Sequence, residues 1–172
     1  MRITLVKQAV AGLVVAGFIG SSLPVMADSQ LTADQTVNIQ VDEIQQISVS
    51  GAATLHITTA VPGAAPTAVQ DALTTYAITS NDGTKKITAA LSDADMPDGI
   101  VLSLTAAAPT TGGGTTAGKQ TLAKTGGAVD VVTGLSKLSD SAGLTYDMTA
   151  TAAAGKLTAT TRTVVLTIAA GS

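Results

Sequence analysis

Gly113 to Lys119, GGTTAGK, has the glycine spacing and the lysine of a phosphate-binding loop. Such a loop wraps phosphate in backbone N–H groups and needs a hydroxyl after the lysine to hold magnesium. Here that position is Gln120, and no strand-to-helix pattern follows, so the stretch reads as a surface loop. Asp93, Asp95 and Asp98 in SDADMPDG place three carboxylates in one short turn-rich segment. Calcium takes several oxygens from a tight loop, which makes these three the best metal candidate in the chain. The segment lacks the distal bidentate glutamate and one-three-five spacing of a helix-flanked calcium loop, and Asp favours turns by capping local N–H groups.

His56, between Leu55 and Ile57, is the single histidine, and no G-x-S-x-G elbow surrounds any serine that could join it in a triad. Leu122 to Gly126, LAKTG, has the spelling of a cell-wall sorting signal, but strand-like sequence follows it in place of an apolar segment and basic tail. No cysteine is present, which removes thiolate catalysis, thiolate metal sites and disulfides. Asp71, Asp82, Asp130, Asp140 and Asp147 fall mainly at predicted strand ends or turns, and no acid–base pair stands out. An enzyme is therefore the weakest of the functional readings, and no cofactor is expected apart from the calcium candidate.

The elements that would position these residues begin after an export signal. Arg2 and Lys7 make a short positive start, and Ala9 to Ile19 is an apolar run shorter than a bilayer needs. Val25-Met26-Ala27 then places small residues where a signal peptidase reads, so residues 1–27 are expected to be removed. Taking 27 from 172 residues leaves 145, enough for one domain with a core. The signal holds two of the nine basic residues and no acidic one, so the mature chain carries seven basic against twelve acidic, a formal charge of −5. That sign argues against nucleic acid or an anionic membrane as partner, and no second apolar run approaches a membrane span. The mature chain is rich in Thr, Ala and Gly, and its only aromatic residues are Tyr76 and Tyr146. β-Branched Thr suits a strand surface.

Short alternating runs follow one another at spacings of about ten residues, as in an all-β sandwich of eight or nine strands. The expected strands are Ala53 to Thr59, Leu73 to Ser80, Lys86 to Leu91, Ile100 to Leu104, a short one near Leu122, Ala128 to Val132, Leu144 to Ala150 and Thr163 to Ile168. Asn81-Asp82-Gly83 predicts a tight hairpin between the second and third of these. Leu135 and Leu138 are expected in a loop plugging the end of the core. Ala60 to Val69 and Ala107 to Gly118 read as loops.

Gln35 to Gly51, QTVNIQVDEIQQISVSG, opens the mature chain with Val37, Ile39 and Val41 on one face of a predicted strand, and Leu31 and Ala33 extend the same face. The alternation breaks at Asp42-Glu43 and resumes at Ile47 and Val49. An amphipathic strand at a chain end pairs either within its own domain or with a neighbouring subunit. A bulge, or a strand switching between the sheets of one sandwich, gives the same spelling.

The order of signal, TVNIQVDEIQQISVSG, TTYAITSNDGTKKITAAL, MPDGIVLSL, a Gly/Thr loop and a terminal TRTVVLTI resembles the secreted, fimbria-like (pilin-like) β-sandwich proteins of bacteria. The chain departs from chaperone–usher pilins in lacking their frequent disulfide and in having no aromatic residue from Thr163 to Ser172. The resemblance implies an immunoglobulin-like sandwich on residues 44–172, completed by a donated strand from an extension at residues 28–43. It implies donor-strand exchange, with Leu31, Ala33, Val37, Ile39 and Val41 at the subunit interface. The leading expectation is a structural subunit of an extracellular filament, a homo-oligomer built by strand addition. The alternative is a monomeric secreted adhesion or ligand-binding module, with its ligand surface on Ala60–Val69 or Ala107–Gly118.

Overall fold

The computed structural model describes residues 33–171. Runs of alternating apolar and polar residues become strands over most of the chain. β1 (Gln45–Ser50), β2 (Val69–Ser80), β3 (Lys85–Leu91) and β4 (Ile100–Ala106) are followed by two-residue strands β5 (Thr115–Thr116) and β6 (Gln120–Thr121). β7 (Val129–Leu135), β8 (Leu138–Ala150) and β9 (Val164–Ala170) complete the set, with one 3-10 turn at Ala152–Ala154. The all-β sandwich is thus present, as two antiparallel sheets ordered β1-β2-β8-β4-β6 and β5-β7-β3-β9. No helix among the described residues is long and apolar enough to cross a membrane.

From β2 onward every link carries the chain from one sheet to the other. The tight hairpin expected at Asn81-Asp82-Gly83 is therefore corrected to an arch, since β2 and β3 lie in different sheets. Alternation shows that one face of a strand is buried, but a hairpin and an arch bury the same residues. In the arch the inward faces oppose each other across the core. Tyr76 and Ile78 come from one sheet, Ile87, Ala89 and Leu91 from the other. Leu102, Leu104, Leu144 and Tyr146 extend the core in the first sheet, and Val131, Val132 and Leu135 in the second. The core has little aromatic bulk, and its layers meet through Leu, Ile and Val, with Tyr76 as the largest side chain fully inside. The phenol of Tyr76 donates to Ala107 O at 2.7 Å, so its one polar atom has a partner.

Two strand expectations fail for want of a partner. Residues 53–59 lie outside both sheets, joined to the chain around them by Thr54 N donating to Asp71 Oδ2 at 2.9 Å and by Thr67 N donating to Thr59 O at 2.8 Å. Leu55 packs against the core from this stretch. Residues 33–44 likewise belong to no ladder. The β1–β2 ladder runs from Ser50↔Thr75 to Gln45↔Ser80, and β2 then turns away towards the other sheet. No β2 backbone remains for Gln40 and Val41 to pair with. Leu135 and Leu138, expected in a loop, end β7 and begin β8 on either side of the two-residue link at Ser136-Lys137, and both are buried.

Candidate functional site

The chain divides into two units between Ile39 and Gln40. In the first, Ala33, Val37 and Ile39 are exposed, Val37 at 69% and Ile39 at 90%. In the second, Val41 is 80% exposed. Leu31 and the signal segment lie outside the described residues. An apolar side chain singly exposed is ordinary, but three on one alternating face of a stretch with no ladder are not.

Among the described residues the second unit also carries unpaired strand edges. β1 ends the first sheet and β9 the second, and the two edges adjoin on one side of the sandwich. β5 and β6, the edges of the other side, are only two residues long. Each free strand turns alternate N–H and C=O groups outward, as a template for another strand. Along the β1–β9 side Ile47, Val164, Leu166 and Ile168 pack on the core while only partly covered. Val49 and Val165 are 47% and 44% exposed.

Between the extension and β1 the backbone is gripped by the arch after β2. Asn81 N donates to Ile44 O at 3.2 Å, and Ile44 N donates to Asn81 Oδ1 at 2.7 Å. Asn81 Nδ2 donates to Asp42 O at 2.7 Å. Lys85 Nζ lies 3.4 Å from Glu43 Oε1 and 2.8 Å from Asp82 Oδ2, and Gln45 Nε2 donates to the same Glu43 oxygen. The hydrogen bond from Lys85 holds the Asp82 carboxyl below its usual range, with the Gly83 N–H adding to it. The same bond to Asp82 pushes the Lys85 ammonium up. The sequence marks Asn81 only as a turn former, because nothing local reveals a side chain that reaches back 37 residues.

The motifs with apparent chemistry turn out to hold loops in place. Asp95 Oδ1 accepts from Lys124 N at 2.5 Å and Thr125 N at 3.0 Å, while Oδ2 accepts from the Thr125 hydroxyl. The Thr125 hydroxyl, then the two N–H groups, hold the Asp95 carboxyl below its ordinary value. Asp93 is lowered first by the N–H of Ala94, and its Oδ1 also accepts from Thr163 N at 3.3 Å. Asp98 is exposed. Asp93 Oδ1 and both Asp95 oxygens thus carry protein donors, and no group of three His, Cys, Asp or Glu side chains that could hold a metal gathers among the described residues. LAKTG is the other half of that contact, with Leu122 buried in the core.

Lys119 of GGTTAGK reaches Asp147 Oδ1 at 3.1 Å on the first sheet rather than covering a phosphate cradle. Gly114 of the same loop, and Gly112 just ahead of it, are packing positions. A Cβ on Gly112 would stand 2.7 Å from Leu138 Cβ, and one on Gly114 would stand 2.6 Å from Leu135 Cδ2. His56 is exposed on the stretch outside both sheets. The outer face of the first sheet has a shallow depression of about 810 Å³, lined by Gln46, Ser48, Ala77, Thr79 and Ser141 among others. Its one carboxylate, Asp140, is engaged by Thr110 and Thr111. None of these places assembles a nucleophile with a base. What remains is an unpaired amphipathic segment, a clamp at its root, and two adjoining free edges. No family model, curated protein or solved structure matches the chain.

Proposed function

We propose that this protein is an exported structural subunit of a bacterial surface filament, assembled by adding the N-terminal segment of one copy to the sheet edge of the next. The observation that carries the reading is the pairing of supply and demand within one sequence. Residues 33–41 offer Val37, Ile39 and Val41 on one alternating face, exposed and in no ladder. The β1–β9 side offers unpaired backbone above a row of half-covered Ile, Val and Leu. An added strand gains main-chain hydrogen bonds from the edge and side-chain burial from alternate positions. The same burial explains why an exported chain would keep such residues in water before assembly. The signal-like residues 1–27 support export, and the acidic mature chain supports a protein partner over nucleic acid.

Electron microscopy of the exported material, with and without residues 28–41, tests the reading. Filaments from the full chain and none from the deletion are the expected pair. A full-length chain that stays monomeric at high concentration, with residues 33–41 protected inside its own sheet, sinks it. A ligand-dependent rise in melting temperature without polymer would point to the binding-module alternative.

A further inference from the structure

We propose that Asn81, assisted by Lys85, is a positioning residue that ties residues 42–44, the root of the N-terminal segment, to the sandwich. The inference rests on the strand-addition reading only for what the segment does afterwards. The next rung of the β1–β2 ladder beyond Gln45↔Ser80 would pair Ile44 with Asn81. Half of that rung is made in the ordinary way, by Asn81 N donating to Ile44 O. The other half is made by the side chain, because Ile44 N donates to Asn81 Oδ1 where a backbone carbonyl would stand. The substitution frees the main chain of Asn81 to turn into the arch towards β3. Its Nδ2 then takes the carbonyl of Asp42, two residues further out.

An amide of this length is needed for both bonds. Aspartate has no donor for Asp42 O, and glutamine is one methylene longer. Lys85 holds the intervening residue by its contact with Glu43, so residues 42, 43 and 44 are each tied to the 81–85 arch. None of these hydrogen-bonded groups belongs to the apolar core, and Asp42 and Ile44 are exposed. Losing them should free the segment while leaving the sandwich folded, and that separates a positioning role from a structural one.

The absence of cysteine lets a label pair be introduced cleanly. Spin labels at Gln40→Cys and Thr121→Cys would report the distance distribution between the segment's root and the far edge of the first sheet. In the same proteins, hydrogen exchange would be followed at the amides of Ile44, Ile87 and Leu104. Asn81→Ala is expected to broaden the distribution and to raise Ile44 exchange about tenfold or more, with the core amides of Ile87 and Leu104 unmoved. Asn81→Asp keeps the acceptor and should fall between. A narrow distribution with Ile44 still protected in Asn81→Ala overturns the proposal, and so does faster exchange at all three amides. Both readouts are taken on the monomer, so failure here is distinct from a failure of the full chain to form filaments.

Discussion

Asp140 and Thr111 hold each other twice. One carboxylate oxygen accepts from Thr111 N at 2.9 Å and from the Thr111 hydroxyl at 3.2 Å, and also takes the hydroxyl of Thr110. The other oxygen accepts from Ser141 N at 2.8 Å. A β8 residue thereby ties down the arch that carries the chain from β4 to β5.

These donors, the Ser141 N–H first, lower the Asp140 pKa from 3.8 to about 2. Below its ordinary value the unfolded chain takes up the proton first, so the stabilisation is complete above that value and is lost as pH falls through about 2. Asp71, held by the N–H of Thr54 and then Leu73, and Asp95 are shifted the same way and add to the acid loss. Thermal melts should show Tm falling between pH 4 and 2, and Asp140→Asn should fall less steeply than the wild type. Equal slopes would mean that the Thr110–Thr111 contact contributes nothing to stability.

At the alkaline end the group to watch is Tyr76. Burial, with the Asp140 charge adding to it, raises its pKa from 10.0 to about 12. A raised value in the fold means stability that is whole below 10 and lost as pH climbs through 12. Tyr76→Phe should lessen the alkaline slope, the remainder belonging to Tyr146, which burial also raises. It should also cost about 1 kcal/mol at neutral pH, because Ala107 O loses its donor. Denaturant titrations at pH 7 and above 10 would measure both.

Gly114 is a close-approach site. Leu135 is fully buried and cannot swing clear of a methyl placed 2.6 Å from its Cδ2. Gly114→Ala should destabilise by about 1–3 kcal/mol, the usual cost of overpacking. Gly143, in β8, has no atom within 4 Å of the place a Cβ would take, and no left-handed φ. Gly143→Ala should be neutral or stabilising, by up to about 1 kcal/mol. Opposite signs in paired melts are the check, and equal effects would refute the packing account.

Ile39 and Val41 separate assembly from folding. Both are exposed and in no ladder, so Ile39→Ser with Val41→Ser should shift monomer stability by no more than about 0.5 kcal/mol. Filament yield from the same variant should collapse if those side chains fill the β1–β9 side of a neighbour. Wild-type polymer from the variant, scored by sedimentation and microscopy, would rule out that contact.

Much of the local structure is legible in the sequence because alternation is a local property. Ile87, Ala89 and Leu91, or Leu102 and Leu104, declare an inward face within five residues, and β3 and β4 form there. The same signal fails at Leu55 and Ile57, since an alternating run becomes a strand only where another backbone lies beside it. It also fails at Asn81-Asp82-Gly83, where turn chemistry is compatible with a hairpin and with an arch alike. The glycines of GGTTAGK spell flexibility in isolation, yet Gly114 sits against Leu135, and Gly112 just before them against Leu138. The carboxylates of SDADMPDG look like a purely local cluster in sequence, and only the fold brings Asp95 to Lys124 and Thr125, about thirty residues away.

By itself, then, the sequence determined the β character, the inward faces of most strands, the absence of thiol chemistry and the amphipathic stretch ahead of the domain. Only the tertiary structure decided which strands are neighbours, which edges stay open and which polar side chains clamp distant backbone. The physical reason is range. Side-chain period is set residue by residue, whereas strand pairing such as β2 with β8, and the reach of Asn81 to Ile44, join positions that the chain must first fold to bring together.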